Sequence, residues 1–391
     1  MRIAFFCKRR YMGKDVILDK YARLYEIPFQ LASLGHEIEC FCLDYQAPRI
    51  NVAENQDTVA IRWTHDSPPG TLHWQSKHLG RASAPLTLLT YPRQLLRQMR
   101  EFKPDVIIGA SDIPHVALAA WLAQRLDVPY VIDLYDNFEG FGQARIPGFV
   151  PALRKATRSA NLVLTTSEPL RQLVMGPYQA QGTVISMPSS VDKSVFCPGD
   201  QALARKRLGL PSGATLIGTA GGLYRDKGIE PLYAAWEQLS QDFPDMHLVL
   251  AGPFQPQLPP PISDRVHYLG HLGHAQVADL FRSLDIGVIS ILDTTFGKYC
   301  FPQKAYEMLA CGLRVAVADI GEMSEIFHTT PSLLFEAGNA QALVNAVKAQ
   351  ITQPIASQIE IHDWRALISA VEPLIAQLAP HLAPSTGRAR S

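Results

Sequence analysis

The stretch GTAGGLYRDKGIEPLYAAW (218–236) reads as the end of a buried strand, a glycine turn, two basic residues and an amphipathic helix. Gly221 and Gly222 let backbone approach a ligand closely, and a helix start at Gly228 offers N–H groups suited to phosphate. Arg225 and Lys227 add full positive charge at the same mouth. The spacing G-x-x-x-x-G-K-[ST] is not met, so this is not a Walker loop. The alternative is a plain strand-to-helix turn with solvated basic residues.

Outward from this unit the same logic repeats. In the second half the candidate strands are TLIGTAG (215–221), HLVLAG (247–252), VHYLG (266–270), IGVIS (286–290) and RVAVAD (314–319). Helices read as 228–243, 275–284, 304–310 and 340–351. In the first half the strands are RIAFFC (2–7), EIECFCL (37–43), TVAIRW (58–63), DVIIGA (105–110), PYVIDLY (129–135) and LVLTTS (162–167). Helices at 18–34, 93–101 and 116–126 separate some of them. Alternation of this kind makes parallel, doubly wound α/β sheets with ligands at the carboxyl ends of strands. A connector rich in Ser, Pro and Asp lies near 186–213, which sets the domains at 1–188 and 189–363. A helix at about 364–380 is expected to fold back on the first domain, followed by a mobile tail at 381–391. Two Rossmann-like domains facing across a cleft are therefore expected.

Composition limits the function classes. The chain has 391 residues, 47% hydrophobic and 18% charged, which suits two globular domains rather than one core or a disordered chain. Lys+Arg and Asp+Glu are equal at 36 each, so no basic excess drives nucleic-acid binding. The six cysteines form no CxxC pair and no zinc spacing, and a reduced, cytoplasmic protein is the simplest reading. No apolar run approaches the ~18 residues of a membrane span, and the opening MRIAFFC reads as a first strand rather than a signal peptide.

A second cluster, YCFPQKAYEMLACGLRVAVADIGEMSE (299–325), puts Lys304 and Glu307 on one helix leading into a buried strand. A carboxylate at a strand mouth suits a ribose diol, because it can accept both hydroxyl hydrogens. The alternative for both residues is a solvated helix surface. In the first half, Gly13 follows the first strand, and Asp112 and His115 follow the fourth. His115 is a candidate general base or a structural histidine, and Asp136 after the fifth strand is a site residue or a turn or N-cap residue. No D-x-D pair occurs, no metal-spaced cluster is evident, and neither a metal nor another cofactor is expected.

The run KG-x(3)-L-x(2)-A (Lys227 to Ala235), then LAG, LG-x-L and P-x-K-x(2)-E-x-L-A-x-G (Pro302 to Gly312) resembles the family-4 glycosyltransferases of the GT-B fold. GHEIECF (35–41), KPDVIIGASD (103–112) and VISMPSSVDKSVFCP (184–198) are similar to first-domain and interdomain segments of that family. The resemblance covers roughly 1–370. It implies a nucleotide-sugar donor held by the second domain and a glycan or lipid-linked glycan acceptor held by the first. It also implies transfer with retention and without metal, in cell-surface polysaccharide or glycolipid synthesis. By the same resemblance Lys227 and Arg225 neutralise the diphosphate, Glu307, the second Glu of the family's E-x(7)-E, binds the ribose, and Gly13 matches the family's glycine in a loop over donor and acceptor, a donor-binding position.

Three positions depart from the family pattern. Tyr299 stands where the first Glu belongs, Gly222 where an arginine does, and Tyr135-Asp136 where many relatives carry a histidine beside an aspartate. Lys304 is placed to add charge at the phosphates or to replace the lost Glu at the sugar. The departures leave two other readings open: a catalytically impaired scaffold that binds nucleotide or glycan, and a nucleotide-sugar epimerase. Arg93, Arg97 and Arg100 share one side of a helix, which suits peripheral contact with anionic lipid on the inner membrane face or an ordinary solvated surface.

Overall fold

Runs of buried apolar residues define two sheets, each in its own compact unit. The computed structural model describes residues 1–45, 58–62, 70–79, 84–356 and 359–379. Residue 63, the last of an expected strand, and the tail at 381–391 lie outside the described residues. One unit comprises Met1–Ser189 with the stretch from Trp364 onward; the other is Ser190–Asp363.

The first unit opens with β1 (Arg2–Lys8), the short β2 (Arg10–Tyr11) and β3 (Lys14–Asp15), α1 (Ala22–Ser33) and β4 (Glu37–Asp44). Next come β5 (Thr58–Arg62), β6 (Thr71–His78), α2 (Ala84–Phe102), β7 (Val106–Ala110), α3 (Ile113–Leu126) and β8 (Tyr130–Leu134). They are followed by α4 (Phe149–Arg158), β9 (Leu162–Thr165), α5 (Glu168–Met175) and β10 (Thr183–Ser186). The strand order β10-β9-β8-β7-β1-β4-β6-β5 puts β1 near the middle, where Ile3 pairs with both Ile38 and Val106. Ile3 to Cys7 are wholly buried, and burial of Phe5 and Phe6 contributes about 1.5–3 kcal/mol each.

Several expectations need correction here. The strand at 58–62 is an antiparallel edge strand, pairing with β6 in a sheet otherwise built of parallel pairs. No strand was expected at β6, whose TLHWQSKH buries Leu72 and Trp74 but keeps polar residues between them. The first helix starts at Ala22 rather than residue 18, because Asp15 Oδ1 accepts from the N–H groups of Ile17 and Leu18 at 3.0 and 3.1 Å. That local turn competes with helix.

The second unit holds α6 (Gln201–Leu208), β11 (Thr215–Ala220), α7 (Ile229–Asp242), β12 (Met246–Ala251), β13 (Val266–Tyr268), α8 (His274–Ser283) and β14 (Ile286–Ile289). After these come α9 (Thr295–Tyr299), α10 (Gln303–Ala310), β15 (Arg314–Ala318), α11 (Glu322–Ile326), β16 (Leu334–Phe335) and α12 (Ala340–Thr352). Its parallel sheet runs β13-β12-β11-β14-β15-β16. Successive residues enter opposite cores: Leu216, Val249 and Val315 pack on one face, Ile217, Leu250 and Ala316 on the other. Burial on both faces is why these strands read as continuous apolar runs. The connector expected over 186–213 contains α6, capped by Asp200, which accepts from Leu203 N–H at 2.9 Å, and ended by Gly209.

The last helix, α13 (Trp364–Ala376), packs on α1 within the first unit. Its buried stripe is Leu367, Ile368, Val371 and Ile375, and Glu372 meets His36 Nε2 at 2.9 Å. Among the described residues, no helix is long and apolar enough to cross a membrane.

Candidate active site

In the second unit, β11 is followed by Gly221, whose φ of +107° suits glycine, and the side chain of Lys304 lies across it. A Cβ on Gly221 would stand 3.2 Å from Lys304 Cε and 3.4 Å from Nζ. The chain then turns through Tyr224 to Lys227 and enters α7 at Gly228. Gly228 has φ +75°, and a Cβ there would sit 1.4 Å from the Ser290 carbonyl oxygen, so only glycine lets α7 start beside the end of β14. The N–H groups of Lys227 and Gly228 donate to the Tyr224 and Arg225 carbonyls, both at 3.0 Å. Of the N–H groups expected to be free at this helix start, that of Gly228 itself is thus corrected: a tight turn has consumed it.

Lys227 and Lys304 converge on this turn. Lys227 Nζ lies 3.2 Å from the centre of the Phe296 ring, a cation–π contact that fixes the ammonium. Lys304, half-buried on α10, has no hydrogen-bond or ion-pair partner among the described residues. Burial presses its ammonium down to about 8; Glu307 acts against this and Lys227 adds to it. On the same helix, burial pushes the Glu307 carboxyl up to about 7, although Gln303 and Lys304 favour the ionised form. Gln303 Nε2 donates to Glu307 Oε1 at 3.4 Å and to the Ser190 carbonyl at 3.2 Å. Two lysines repel each other beside a carboxyl that burial has brought up to about 7, and an anion set between the ammonium groups would relieve that repulsion.

The other expected residues of this unit are less central. Arg225 is exposed and ion-paired with Glu230 at 3.0 Å. Gly222 continues the turn, with the Tyr224 ring where a Cβ would project. Tyr299 closes the short α9, ahead of α10.

The first unit gathers a second set of polar groups at the carboxyl ends of β1, β7 and β8. Lys8 Nζ donates to Tyr135 Oη at 2.6 Å and faces the rings of Tyr11 and Tyr135 at 4.9 and 5.2 Å. Asp112 caps α3, accepting from His115 N–H at 3.2 Å, and its Oδ1 also meets His115 Nδ1. Burial opposes ionisation of Asp112, but His115 and Lys8 outweigh it and hold the carboxyl below its ordinary value. His115 is 1% exposed and bound to that cap, which fits the structural alternative rather than an open general base. Asp136 is half-buried just beyond the carboxyl end of β8 and accepts from Asn137 N–H at 2.7 Å, so it is a turn residue as well as a candidate contact. Gly13 sits at the exposed tip of the β2–β3 hairpin, where Met12 and Gly13 both have positive φ.

Lys8 was not singled out from sequence. The available signal was a cation immediately after an apolar first strand; its partner Tyr135 lies 127 residues away.

Residues 23–187 match the family described as Glycosyl transferase 4-like domain, and residues 214–353 match Glycosyl transferases group 1. This chain belongs to the family-4 glycosyltransferases. It is 29% identical over 282 residues, 71% of this chain and 67% of the relative, to a putative teichuronic acid biosynthesis glycosyltransferase, TuaC, of Bacillus subtilis. Its fold is that of GT-B proteins. Sucrose-phosphate synthase from Thermosynechococcus elongatus aligns with a TM-score of 0.68 at 18% identity, covering 96% of this chain and 98% of that one. The Anabaena protein HepE, in complex with UDP and glucose, aligns with a TM-score of 0.64 at 17% identity over 96% of this chain and all of that one. The glycosyltransferase is therefore built from two doubly wound α/β units, each with a polar cluster at the carboxyl ends of its strands.

Proposed function

We propose that this glycosyltransferase moves a sugar from a nucleoside-diphosphate sugar to a hydroxyl of a glycan or lipid-linked glycan, with retention and without metal. Cell-surface polysaccharide or glycolipid synthesis in the cytoplasm is the setting this reading implies. The observation that carries it is Lys304, which lies over Gly221 without a partner among the described residues and close enough to Lys227 for the two charges to act on each other. In this reading Lys227 and Lys304 hold the diphosphate, assisted by Arg225, and ionised Glu307 accepts from the ribose hydroxyls. The first unit binds the acceptor near Lys8, Tyr135 and Asp136. The bond from the sugar's anomeric carbon to the phosphate oxygen breaks, and a bond from that carbon to the acceptor oxygen forms on the same face. The acceptor proton passes to the departing phosphate. Negative charge grows on the diphosphate as it leaves, and preplaced ammonium groups lower the barrier by meeting that charge. The relatives support this reading: HepE was crystallised with UDP and glucose, and TuaC is named for teichuronic acid biosynthesis.

A panel of UDP-, GDP- and other sugar nucleotides tests the donor assignment by thermal unfolding. A donor at a hundred times its Kd stabilises by about 2.7 kcal/mol and raises Tm accordingly. If no nucleotide moves the midpoint, the donor site is misassigned. Turnover of the stabilising donor then separates an enzyme from a scaffold.

The shifted acidities of Glu307 and Lys304 make a second prediction. Below about 7 the Glu307 carboxyl of the empty site takes up a proton and loses the capacity to accept from both ribose hydroxyls. Above about 8 the Lys304 ammonium loses its proton and its attraction for phosphate. Donor affinity is therefore expected to peak between those values and fall on both sides. Glu307→Gln removes the acid limb and Lys304→Met the alkaline one; a flat profile in the parent protein contradicts the assignment.

A further inference from the structure

The stretch from Asn137 to Arg158 combines two properties that soluble surfaces seldom place together. Phe141 and Ile146 project into solvent with 44% and 47% of their surfaces exposed, and Pro147 beside them is exposed too. Immediately afterwards α4 presents Pro151, Arg154, Lys155 and Arg158 at helical spacing on its open face, while Leu153, Ala156 and Thr157 turn inward. With Arg145, four cations in this stretch face one carboxylate, Glu139, which is taken by Arg154 at 2.7 and 2.8 Å.

The loop is tied to the polar cluster of the first unit. Phe138 is buried edge-on against Tyr135, with ring centres 5.1 Å apart. Gln143 Nε2 lies 3.4 Å from Asp112 Oδ2. The inner residues thus grip the carboxyl ends of the strands, while Phe141 and Ile146 stay exposed. By contrast, α2 shows exposed Arg93, Arg97 and Arg100, but Tyr91, Leu95 and Met99 are buried and no large apolar side chain is exposed among its described residues. Charge alone attracts a protein to a headgroup layer; charge with protruding Phe and Ile also anchors it there.

We propose that the 137–158 stretch is a docking surface for an anionic lipid bilayer, with Phe141 and Ile146 entering the interface and Arg145, Lys155 and Arg158 facing the headgroups. This rests on the reading that the acceptor is lipid-linked. Docking there brings the Lys8–Tyr135–Asp136 edge next to the membrane in which such an acceptor sits.

Flotation of the full chain with vesicles of phosphatidylcholine, with and without phosphatidylglycerol, tests it. The parent protein floats with the anionic vesicles and stays behind with the neutral ones, and added salt weakens its attachment. Phe141→Ser with Ile146→Ser lowers the bound fraction about ten-fold or more, and so does Lys155→Glu with Arg158→Glu. Arg93→Glu with Arg97→Glu and Arg100→Glu has the smaller effect. The nucleotide-induced Tm shift, measured on the same samples, confirms that each variant is folded and keeps the two readings apart. A protein that responds to nucleotide but does not float with anionic vesicles overturns the docking surface while leaving the donor site standing. Equal flotation with neutral vesicles overturns it as well, as does a loop variant that floats like the parent while the α2 variant does not.

Discussion

Lys227→Ala is expected to lower the transfer rate by roughly a hundred- to a thousand-fold, in the range seen when one preorganised electrostatic contact to a developing oxyanion is removed. The physical reason is geometric. Lys227 sits where the turn after β11 enters α7, with its ammonium held over Phe296 at 3.2 Å. In the proposed reading it meets the charge that grows as the diphosphate departs. Because that charge is larger in the transition state than in bound donor, the loss falls mainly on kcat rather than on KM. Lys304→Met is expected to act on the same charge, so the double variant loses less than the product of the two single effects. Lys227→Ala leaves Tm close to the parent value, since the side chain is not part of either core. A Lys227→Ala enzyme within about three-fold of the parent kcat removes this lysine from the charge-stabilising role.

How much of this was legible in the sequence depended on the range of each interaction. Lys304 and Glu307 lie one helical turn apart on α10, and Lys227 follows a strand-and-glycine pattern, so local spacing was enough to single them out. The buried strands announced themselves because both faces of each sheet are covered. Strand β6 did not, because alternation of Leu72 and Trp74 with polar residues has no long apolar run. Its antiparallel pairing with β5 was equally hidden, since direction in a sheet is set by neighbours rather than by composition. The free N–H expected at Gly228 failed for a related reason. Its glycine is there because Ser290, 62 positions further along the chain, passes too close for a Cβ. Lys8 with Tyr135, and Arg23 with Asp133, join residues 127 and 110 positions apart, and such pairs leave no local trace.

Breaking the Arg23–Asp133 pair is expected to be the most destabilising single change in the first unit, costing about 3–5 kcal/mol. Arg23 on α1 is 1% exposed and Asp133 on β8 is wholly buried. Arg23 Nε reaches both carboxylate oxygens at 3.0 and 3.1 Å, while Nη1 donates to the Met187 carbonyl and Ser189 Oγ, each at 3.1 Å. One guanidinium thus joins α1, β8 and the segment after β10. Arg23→Met strands a carboxylate inside the sheet, and Asp133→Asn leaves a buried cation with half its partners. Neither can recruit water without opening the core. Replacing both, as Arg23→Met with Asp133→Leu, removes the two charges together and is expected to recover most of the loss, because a buried pair contributes little over well-packed apolar side chains. Unfolding of a two-unit chain is not one transition, so hydrogen exchange at β8 and α1 is the suitable readout. The single variants should lose protection there while β11 and β12 keep theirs. The same change also reaches the acceptor side proposed above, since Asp133 is three residues before Asp136 and two before Tyr135. If the single variants exchange as slowly as the parent at β8, the pair is dispensable and the sheet edge it supports is held by packing alone.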